Sequence, residues 1–100
     1  MKAYISGQIS GLEPRIVQIY FAVAEAYLTS KGYKVVNPLK VAPYNPKWTW
    51  EQYMIKDIKA LFGCDTIYML FNWEKSRGAC IEHEIAVQCK KTIIYEINEH

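Results

Sequence analysis

The sequence has little excess of charge of either sign. Its 100 residues include 12 lysines and arginines and 10 aspartates and glutamates, which gives a formal net charge of +2. Because the two signs are interspersed, the chain has no basic stripe of the kind that nucleic-acid binding normally needs. We therefore expect no nucleic-acid polymer among the partners of this protein.

Cysteines and long apolar runs are also scarce. The three cysteines, Cys64, Cys80 and Cys89, are an odd number, lie in or beside predicted core segments and show no metal-ligand spacing. We interpret them as reduced core thiols and expect no metal site. The sequence shows neither a signal-peptide pattern nor an apolar run long enough to span a membrane, so we expect a cytoplasmic protein with no membrane partner.

Apolar residues are plentiful, and strand patterns alternate with helix patterns. The composition is 51% hydrophobic and 14% aromatic, enough for a small core, and no repeat or linker divides residues 1–100, so we expect a single domain. The predicted strands span residues 2–6, 33–36, 66–71 and 92–97, and the predicted helices span residues 14–31, 48–62 and 77–90. This alternation indicates a parallel sheet with right-handed crossovers. We predict an α/β fold, a Rossmann- or flavodoxin-like three-layer sandwich with a four-stranded parallel sheet in the order 2-1-3-4.

Two segments carry more specific expectations. On the first helix we expect the core-facing residues to include Ile16, Ile19, Val23 and Ala26. Residues 37–48 contain three prolines and no hydrophobic periodicity, and their length is typical of a functional loop.

The last predicted helix has a glutamate on its apolar face. The apolar stripe of this helix consists of Ala79, Ile81, Ile85, Ala86 and Cys89. Glu82 projects from the middle of that stripe. A carboxylate directed at a core is costly to desolvate unless it is paired or faces a polar pocket, so this position indicates chemistry. The alternative, which the pattern supports about equally, is a stripe edge from which the side chain reaches solvent.

A second carboxylate breaks the pattern in the same way. The apolar stripe of the helix over residues 48–62 consists of Trp50, Tyr53, Met54, Ile58 and Leu61. Asp57 falls within this stripe. Two inward carboxylates on separate helices are harder to explain as surface charge than one. The pattern therefore predicts a paired-carboxylate site.

A glycine-containing loop follows the first predicted strand. Ligands of open parallel sheets bind beyond the carboxyl ends of the strands, and this loop lies there. Its residues Gly7, Gln8, Ile9 and Gly11 allow a ligand to approach the backbone closely, but they match neither the phosphate-loop nor the dinucleotide pattern. A simple turn is the alternative interpretation.

The turn over residues 72–78 and several aromatic side chains lie at the same predicted edge. Ser76, Arg77 and Gly78 form a turn at a helix start, where a hydroxyl, a guanidinium and free amide groups favour an anion site. An ordinary serine cap explains Ser76 equally well. Trp73 and Trp50 offer faces for a nucleobase, and core packing is the alternative, more strongly for Trp50. The hydroxyl of Tyr4 is near enough to the glycine loop to reach the site.

Five motifs are spread over nearly the whole chain. They are Tyr4-Ile5-Ser6-Gly7 with Ile9 and Gly11, Val35-Val36-Asn37-Pro38, Trp50 through Tyr53-Met54 to Asp57, Cys64-Asp65, and Ser76-Arg77-Gly78-Ala79 with Glu82 and Ala86. With these motifs the chain resembles the nucleoside 2-deoxyribosyltransferase superfamily, and within it a small branch common in phage and bacterial genomes. The spacing of Gly78, Glu82 and Ala86 is similar to the superfamily's Gly-x-x-x-Glu-x-x-x-Ala signature.

The resemblance implies an activity and a set of site residues. It implies cleavage of the N-glycosidic bond, or base exchange, on 2′-deoxynucleosides or their 5′-monophosphates, with no metal or organic cofactor. Glu82 would be the nucleophile that forms a glycosyl ester, and Asp57 would deliver a proton to the base or hold the sugar. The implied substrate-binding residues are Tyr4, Gly7, Gln8, Ile9, Gly11, Asn37, Trp73, Ser76 and Gly78. A homodimer is expected, since relatives of this kind build the pocket across subunits.

The chain departs from the superfamily pattern at two positions. The transferases often have an aspartate six residues before the nucleophile, whereas Ser76 is similar to the phosphate-binding serine of the deoxynucleoside 5′-monophosphate N-hydrolase branch. The glycine usually found two residues after the nucleophile is Glu84. The rival hypothesis is a nucleotide-binding or regulatory module that kept the pocket without turnover. A third, a small interaction protein without a pocket, predicts that Glu82 and Asp57 lie far apart.

Overall fold

Four parallel strands form the central sheet of the structure, a computed structural model that describes residues 1–97. The strands are β1 (Lys2–Ser6), β2 (Lys34–Val36), β3 (Thr66–Met69) and β4 (Thr92–Tyr95). They pair in the order β2-β1-β3-β4, which confirms the predicted topology. The last three residues of the predicted domain, 98–100, lie outside the described residues.

Four α-helices and a short 3-10 turn connect the strands. They are α1 (Pro14–Ser30), α2 (Pro38–Val41), α3 (Trp50–Phe62), the 3-10 turn (Trp73–Lys75) and α4 (Arg77–Gln88). α2 lies in the segment predicted to be an irregular connector. The sequence does not reveal this helix, because its four residues are too few to show a hydrophobic period. Among residues 1–97, no helix has the length and apolar character needed to cross a membrane.

The side chains of the inner strands divide between two cores, as the alternation of a strand requires. One core is formed by Ala3, Ile5, Tyr68 and Leu70 with the buried face of α1. The other core contains Tyr4, Ile67 and Met69 and residues of α3 and α4. The sheet is therefore covered by α1 on one face and by α3 and α4 on the other, which confirms the predicted three-layer α/β sandwich.

The buried face of α1 differs from the predicted one. Its buried residues are Val17, Phe21, Ala24 and Leu28. The predicted core residues Ile16, Ile19, Val23 and Ala26 are exposed, with Val23 at 59%. Apolar residues occupy both sides of this helix, so periodicity alone does not identify the core face. The face that contacts the sheet carries the bulky side chains of Phe21 and Leu28, and both are fully buried.

The cysteines divide by depth. Cys64 is buried, Cys80 is half-buried and Cys89 is exposed, and all three are free thiols. The interpretation as core thiols is therefore correct for Cys64 and wrong for Cys89. The reason is that α4 ends at Gln88. Cys89 is the C-cap residue that follows the helix, so it lies beyond the part of α4 that packs on the sheet.

Candidate active site

The carboxyl end of β1 presents two hydroxyl groups on one face of the sheet. Tyr4 and Ser6 are two residues apart, so both side chains point toward α3 and α4, and both are buried. Gly7 follows directly. A β-carbon at Gly7 would lie 2.5 Å from Cδ1 of Leu70, the residue that follows β3. Only glycine therefore fits at this position without displacing Leu70. The backbone that carries the two hydroxyls is therefore closely packed.

Glu82 of α4 accepts a hydrogen bond on each of its carboxylate oxygens. Tyr4 donates its hydroxyl to Oε2 at 2.8 Å, and Ser6 donates to Oε1 at 2.6 Å. The glutamate is only 5% exposed. Its side chain points into the protein, so the alternative in which it reaches solvent from a stripe edge is wrong.

Small side chains allow α4 to lie close to the sheet. The helix is capped by Ser76, whose Oγ accepts a hydrogen bond from the backbone N–H of Ala79 at 3.1 Å. Ala79 and Ala86, three residues before and four after Glu82, share its face of the helix and are buried with it. This face therefore buries two methyl groups and one carboxylate.

Asp57 of α3 is the second buried carboxyl group. α3 begins with a capping box in which Thr49 and Gln52 exchange side-chain to backbone hydrogen bonds. Asp57 lies two turns into the helix and is 8% exposed. Its Oδ1 is buried and has no hydrogen-bond partner among residues 1–97. Glu82 and Asp57 are thus both buried, but only Glu82 has donors on both oxygens.

Burial raises the pKa of both acids, and hydrogen bonds from hydroxyl groups oppose that rise at Glu82. Burial, and then the charge of Glu82, raises the pKa of Asp57 to about 7. Burial also raises the pKa of Glu82, while the hydroxyls of Ser6 and Tyr4 act in the opposite direction. Burial raises the pKa of Tyr4 well above its usual value, so its hydroxyl remains a donor. The helices that carry the two acids, α3 and α4, contact each other, and the charge of Glu82 contributes to the raised pKa of Asp57.

A cavity of about 330 Å³ opens next to this pair. Its walls come from the loop after β1, residues 38–48, α3 and the start of α4, and Asp57 is the carboxyl group that lines it. Glu82 and Tyr4 are not part of the wall but are buried beside it. The volume lies within the range of small-molecule sites. Among residues 1–97, no three histidine, cysteine, aspartate or glutamate side chains come together as metal ligands would.

Four other predicted site residues line the cavity, namely Gly7, Ile9, Ser76 and Gly78. Ser76 both caps α4 and lines the cavity, so its two interpretations are compatible. A β-carbon at Gly78 would lie 3.0 Å from Sδ of Met54. A larger residue at Gly78 would therefore push against α3 as well as narrow the cavity.

Gln8 and Gly11 do not line the cavity. The backbone N–H of Gln8 donates to Oδ1 of Asn72 at 3.1 Å, and its side-chain amide donates to the carbonyl of Ser10 at 3.1 Å. Gly11 has a φ of 88°, a conformation that favours glycine. These two residues shape the loop, and Gly7, Ile9 and Ser10 of the same loop reach the cavity.

Asn37 and Trp73 also lie away from the cavity. Asn37 caps α2 and donates to Oε1 of Glu25 at 3.0 Å. Trp73 stacks on His83 with ring centroids 4.3 Å apart. The reason for the difference at Trp73 is that β3 ends at Met69, two residues earlier than predicted, and the chain then turns into the 3-10 turn.

Two parts of the site have no counterpart among the predicted site residues. Ser6 donates to Glu82, and its spacing of two from Tyr4 is the signal that places both hydroxyls on one face. The second part is a wall formed by residues 42–48. Tyr53 of α3 holds this wall through hydrogen bonds to both the backbone N–H and, at 2.9 Å, the carbonyl of Asn45. A segment without hydrophobic period gives no sequence signal for such a tie.

An aromatic and a cationic side chain meet at the mouth of the cavity. The guanidinium of Arg77 lies 3.7 Å from the ring centroid of Trp50, and Trp50 lines the cavity. Trp48 lines it as well and lies against Tyr53, with ring centroids 5.1 Å apart. The site therefore combines aromatic faces with one buried, raised-pKa carboxyl group at its wall.

Comparison with known proteins places these features in context. Residues 1–95 match the family described as a domain of unknown function (DUF4406). Among solved structures, the chain is similar to a 2-deoxyribosyltransferase from the psychrotolerant bacterium Bacillus psychrosaccharolyticus, at 17% sequence identity and a TM-score of 0.72, over 99% of this chain and 77% of that chain. Comparison with curated proteins gives no match. The structural similarity shows a shared fold.

Proposed function

We propose, from the premise that this chain belongs to the DUF4406 family and has a 2-deoxyribosyltransferase-like fold, that it cleaves or exchanges the N-glycosidic bond of 2′-deoxynucleosides or their 5′-monophosphates. The observation that carries the proposal is the unequal pair of buried carboxyl groups. Glu82 has a donor on each oxygen, whereas Asp57 has an unpartnered oxygen and lines the cavity. A nucleophile and a proton donor need this kind of difference.

In the first step, the ionised Glu82 attacks the anomeric carbon of the deoxyribose. A bond forms between a carboxylate oxygen and that carbon, and the bond to the base breaks with its electron pair leaving on the base. Asp57, with a pKa of about 7, is protonated often enough near neutral pH to donate a proton to the departing base. The products are a glycosyl ester on Glu82, a neutral base and an ionised Asp57.

In the second step, water or another base releases the sugar. Attack of water on the anomeric carbon breaks the ester, restores the Glu82 carboxylate and returns a proton to Asp57. Attack by a second nucleobase gives a new nucleoside instead. These two reaction steps need no metal or organic cofactor.

The lining of the cavity supports a nucleoside or nucleotide ligand. Trp48 and Trp50 offer aromatic faces on which a base can stack. Ser76 and the first amide groups of α4 offer hydrogen bonds to an anionic 5′-phosphate. Asp57 lies in the same cavity, so one ligand can contact all of these groups.

The burial of Glu82 favours a second candidate function. A glutamate that is 5% exposed and bonded on both oxygens is poorly accessible to a substrate. A nucleotide-binding or regulatory module that binds ligand without turnover is compatible with this geometry. The two functions differ in whether free base is released.

The deciding experiment is incubation of the protein with each 2′-deoxynucleoside and each 5′-monophosphate, followed by chromatography of the free bases. We expect the wild type to release base and Glu82→Gln to lose this activity by roughly a thousandfold or more, because the nucleophile is removed. Addition of a second base distinguishes transfer from hydrolysis.

Glu84→Gln is the matched control. Glu84 lies two residues further along α4, is exposed and accepts a hydrogen bond from Gln88 at 2.9 Å, so its loss leaves base release unchanged. Binding measured by calorimetry without any base release would establish the binding module. A dead Glu84 variant beside an active Glu82 variant would overturn the assignment of the nucleophile.

We also infer a homodimer, from the outer face of α1. Ile16, Ile19, Val23 and Tyr27 are exposed there by 40%, 54%, 59% and 49%. A helix that is apolar on both sides is normally covered on both sides. Sedimentation at micromolar concentration is expected to show twice the 11.6 kDa of one chain, and Val23→Glu to shift it to the monomer, whereas Ile55→Glu on exposed α3 surface does not. A wild-type monomer would contradict the inference.

A further inference from the structure

Ser6 donates the shorter of the two hydrogen bonds to Glu82. Its Oγ lies 2.6 Å from Oε1, and the hydroxyl of Tyr4 lies 2.8 Å from Oε2, so each carboxylate oxygen has a donor of its own. Both donors are buried, and hydroxyl groups bonded to a carboxylate in such surroundings favour its charged form. Among residues 1–97, Ser6 is therefore the sole hydrogen-bond donor to Oε1 of Glu82.

The position of Ser6 is fixed by its backbone. It is the last residue of β1 and pairs with Met69 in the central strand β3. The next residue, Gly7, packs against Leu70 so closely that no side chain fits. The hydroxyl is thus held in place before any substrate arrives, which is the condition for effective electrostatic support of a reacting group.

The remaining groups around the glutamate increase the importance of this donor. Glu82 accepts hydrogen bonds from the hydroxyls of Tyr4 and Ser6 of β1. Its charge acts on the carboxyl group of Asp57 of α3, and Cys64 is buried in the same cluster as Tyr4. Two nearby carboxyl groups in a buried site share a proton. Donors that bond only to Glu82 direct that proton to Asp57. Removal of one donor makes the two acids more alike.

We propose that Ser6 is a positioning residue, which holds the Glu82 carboxylate in one orientation and keeps the negative charge of the carboxyl pair on Glu82. Ser6 forms no bond with substrate and gives up no proton. The catalytic consequence rests on the proposed function above. The distribution of charge between Glu82 and Asp57, however, is a property of the free protein and is testable without a substrate.

The direct test is a carbon-13 NMR titration of the Glu82 and Asp57 carboxyl groups in the wild type and in Ser6→Ala. Loss of the donor is expected to move the titration of Glu82 to higher pH. Because Glu82 is then less ionised, it repels the Asp57 carboxylate less, and the titration of Asp57 moves to lower pH. The two transitions thus approach each other in the variant.

The kinetic test uses the same variant with whichever substrate the wild type accepts. A hydrogen bond to a charged group is strong enough that its loss lowers kcat by roughly 10- to 100-fold. KM stays within about twofold, since Ser6 is not expected to contact the ligand. The acidic limb of the pH profile of kcat moves to higher pH, because more base is needed to ionise Glu82. A purely structural role would leave this limb in place.

The control is Thr66→Val. Thr66 is a buried hydroxyl at the amino end of β3, where it donates to Oδ1 of Asp65 at 2.7 Å, so the variant also removes a strand hydroxyl bonded to a carboxylate. It is expected to leave both titrations unchanged. Ser6→Cys retains the volume with a weaker donor and is expected to give intermediate shifts. If circular dichroism shows that Ser6→Ala is unfolded, the titrations of Ser6→Cys test the inference in its place.

The outcomes separate this inference from the proposed function. Titrations of Glu82 and Asp57 that do not move in Ser6→Ala, or in Ser6→Cys where that is the folded variant, overturn the inference even if the wild type releases base. Titrations that move in a protein that releases no base from any substrate support the charge distribution and reject the proposed function.

Discussion

On the α1 side of the sheet, β1 contributes Ala3 and Ile5, which pack on Phe21 in an apolar cluster. On the opposite side, the same five-residue strand contributes Tyr4 and Ser6, whose hydroxyls bond to a buried carboxylate. The alternation of one strand thus separates a side that stabilises the fold from a side that holds costly polar groups. Residues that differ by one position along β1 are expected to respond oppositely to substitution.

The polar side is destabilised by its own carboxyl groups. Burial raises the pKa of both Glu82 and Asp57, which means that the folded state holds protons that the unfolded chain releases. The apolar side supplies the stability that offsets this cost. The comparison therefore predicts that damage to the α1 side unfolds the protein, whereas neutralisation of the other side stabilises it and removes function.

The largest effect is expected for Phe21→Ala. Phe21 is completely buried between α1 and the sheet, so its truncation leaves a cavity and lowers the free energy of unfolding by about 3–5 kcal/mol. Urea denaturation followed by circular dichroism measures the loss. Ligand binding per folded molecule is expected to stay unchanged, because Phe21 lies on the far side of the sheet.

Phe62→Ala provides the matched control for this variant. Phe62 ends α3 and is 57% exposed, so the same truncation is expected to cost less than about 1 kcal/mol. Equal losses in the two variants would show that the α1 cluster is not the main source of stability and would break the comparison of the two sides.

Asp57→Asn is expected to have a smaller effect of opposite sign. The pKa of Asp57 is about 7 in the folded protein, against 3.8 as the ordinary value. The wild type therefore loses stability as the pH rises from about 4 to about 7, because the unfolded chain releases this proton first. Asparagine does not titrate, so above pH 7 the variant is more stable, by at most about 4 kcal/mol, and the advantage disappears near pH 4.

Asp65→Asn is the matched comparison, because the pKa of Asp65 is lowered in the folded protein whereas that of Asp57 is raised. The hydrogen bond from Thr66, with the backbone N–H of Lys2, lowers the pKa of Asp65. Its contribution to stability is present above the ordinary pKa of aspartate and is lost as the pH falls through the lowered value. Asp65→Asn is thus expected to destabilise at pH 7 and to have less effect in acid. Urea denaturation of both variants from pH 3 to 8 checks the two signs.

The sequence predicts the sheet and the two buried acids well, because both depend on strong patterns. Strands that alternate with helices leave few possible topologies. Glu82 and Asp57 are visible as polar breaks in apolar stripes, and burial of both is confirmed. Such breaks are informative since desolvation of a carboxyl group is costly enough to be rare.

The errors arise where the local pattern permits two solutions. α1 is apolar on both sides, so only packing against the sheet selects the face with Phe21 over the face with Val23. Trp73 lies away from the cavity, contrary to the prediction, because the sequence poorly determines where a strand ends. The wall of residues 42–48 lies in the predicted functional loop, but hydrophobic periodicity gives no signal for the hydrogen bonds that Tyr53 makes with Asn45.

That tie leads to the smallest expected effect, from Tyr53→Phe. The variant keeps the ring against Trp48 and removes the hydroxyl that bonds to both backbone groups of Asn45. Asn45 is half-buried, so water replaces most of the lost bonding, and global stability changes by about 1 kcal/mol or less. The effect is local. The amide of Asn45 exchanges its hydrogen faster, and affinity for the proposed nucleoside or nucleotide ligand falls, because residues 42–48 form one wall of the cavity.

Tyr33→Phe is the control on the other side of the sheet, where Tyr33 is half-buried against the α1 cluster. It removes the same hydroxyl without a tie to residues 42–48, so exchange at Asn45 is expected to remain slow. Amide exchange followed by NMR compares the three proteins. Unchanged exchange in Tyr53→Phe would mean that the contact between the rings of Trp48 and Tyr53 holds the wall without the hydroxyl. The polar side would then owe the shape of its cavity to apolar packing, as the α1 side does.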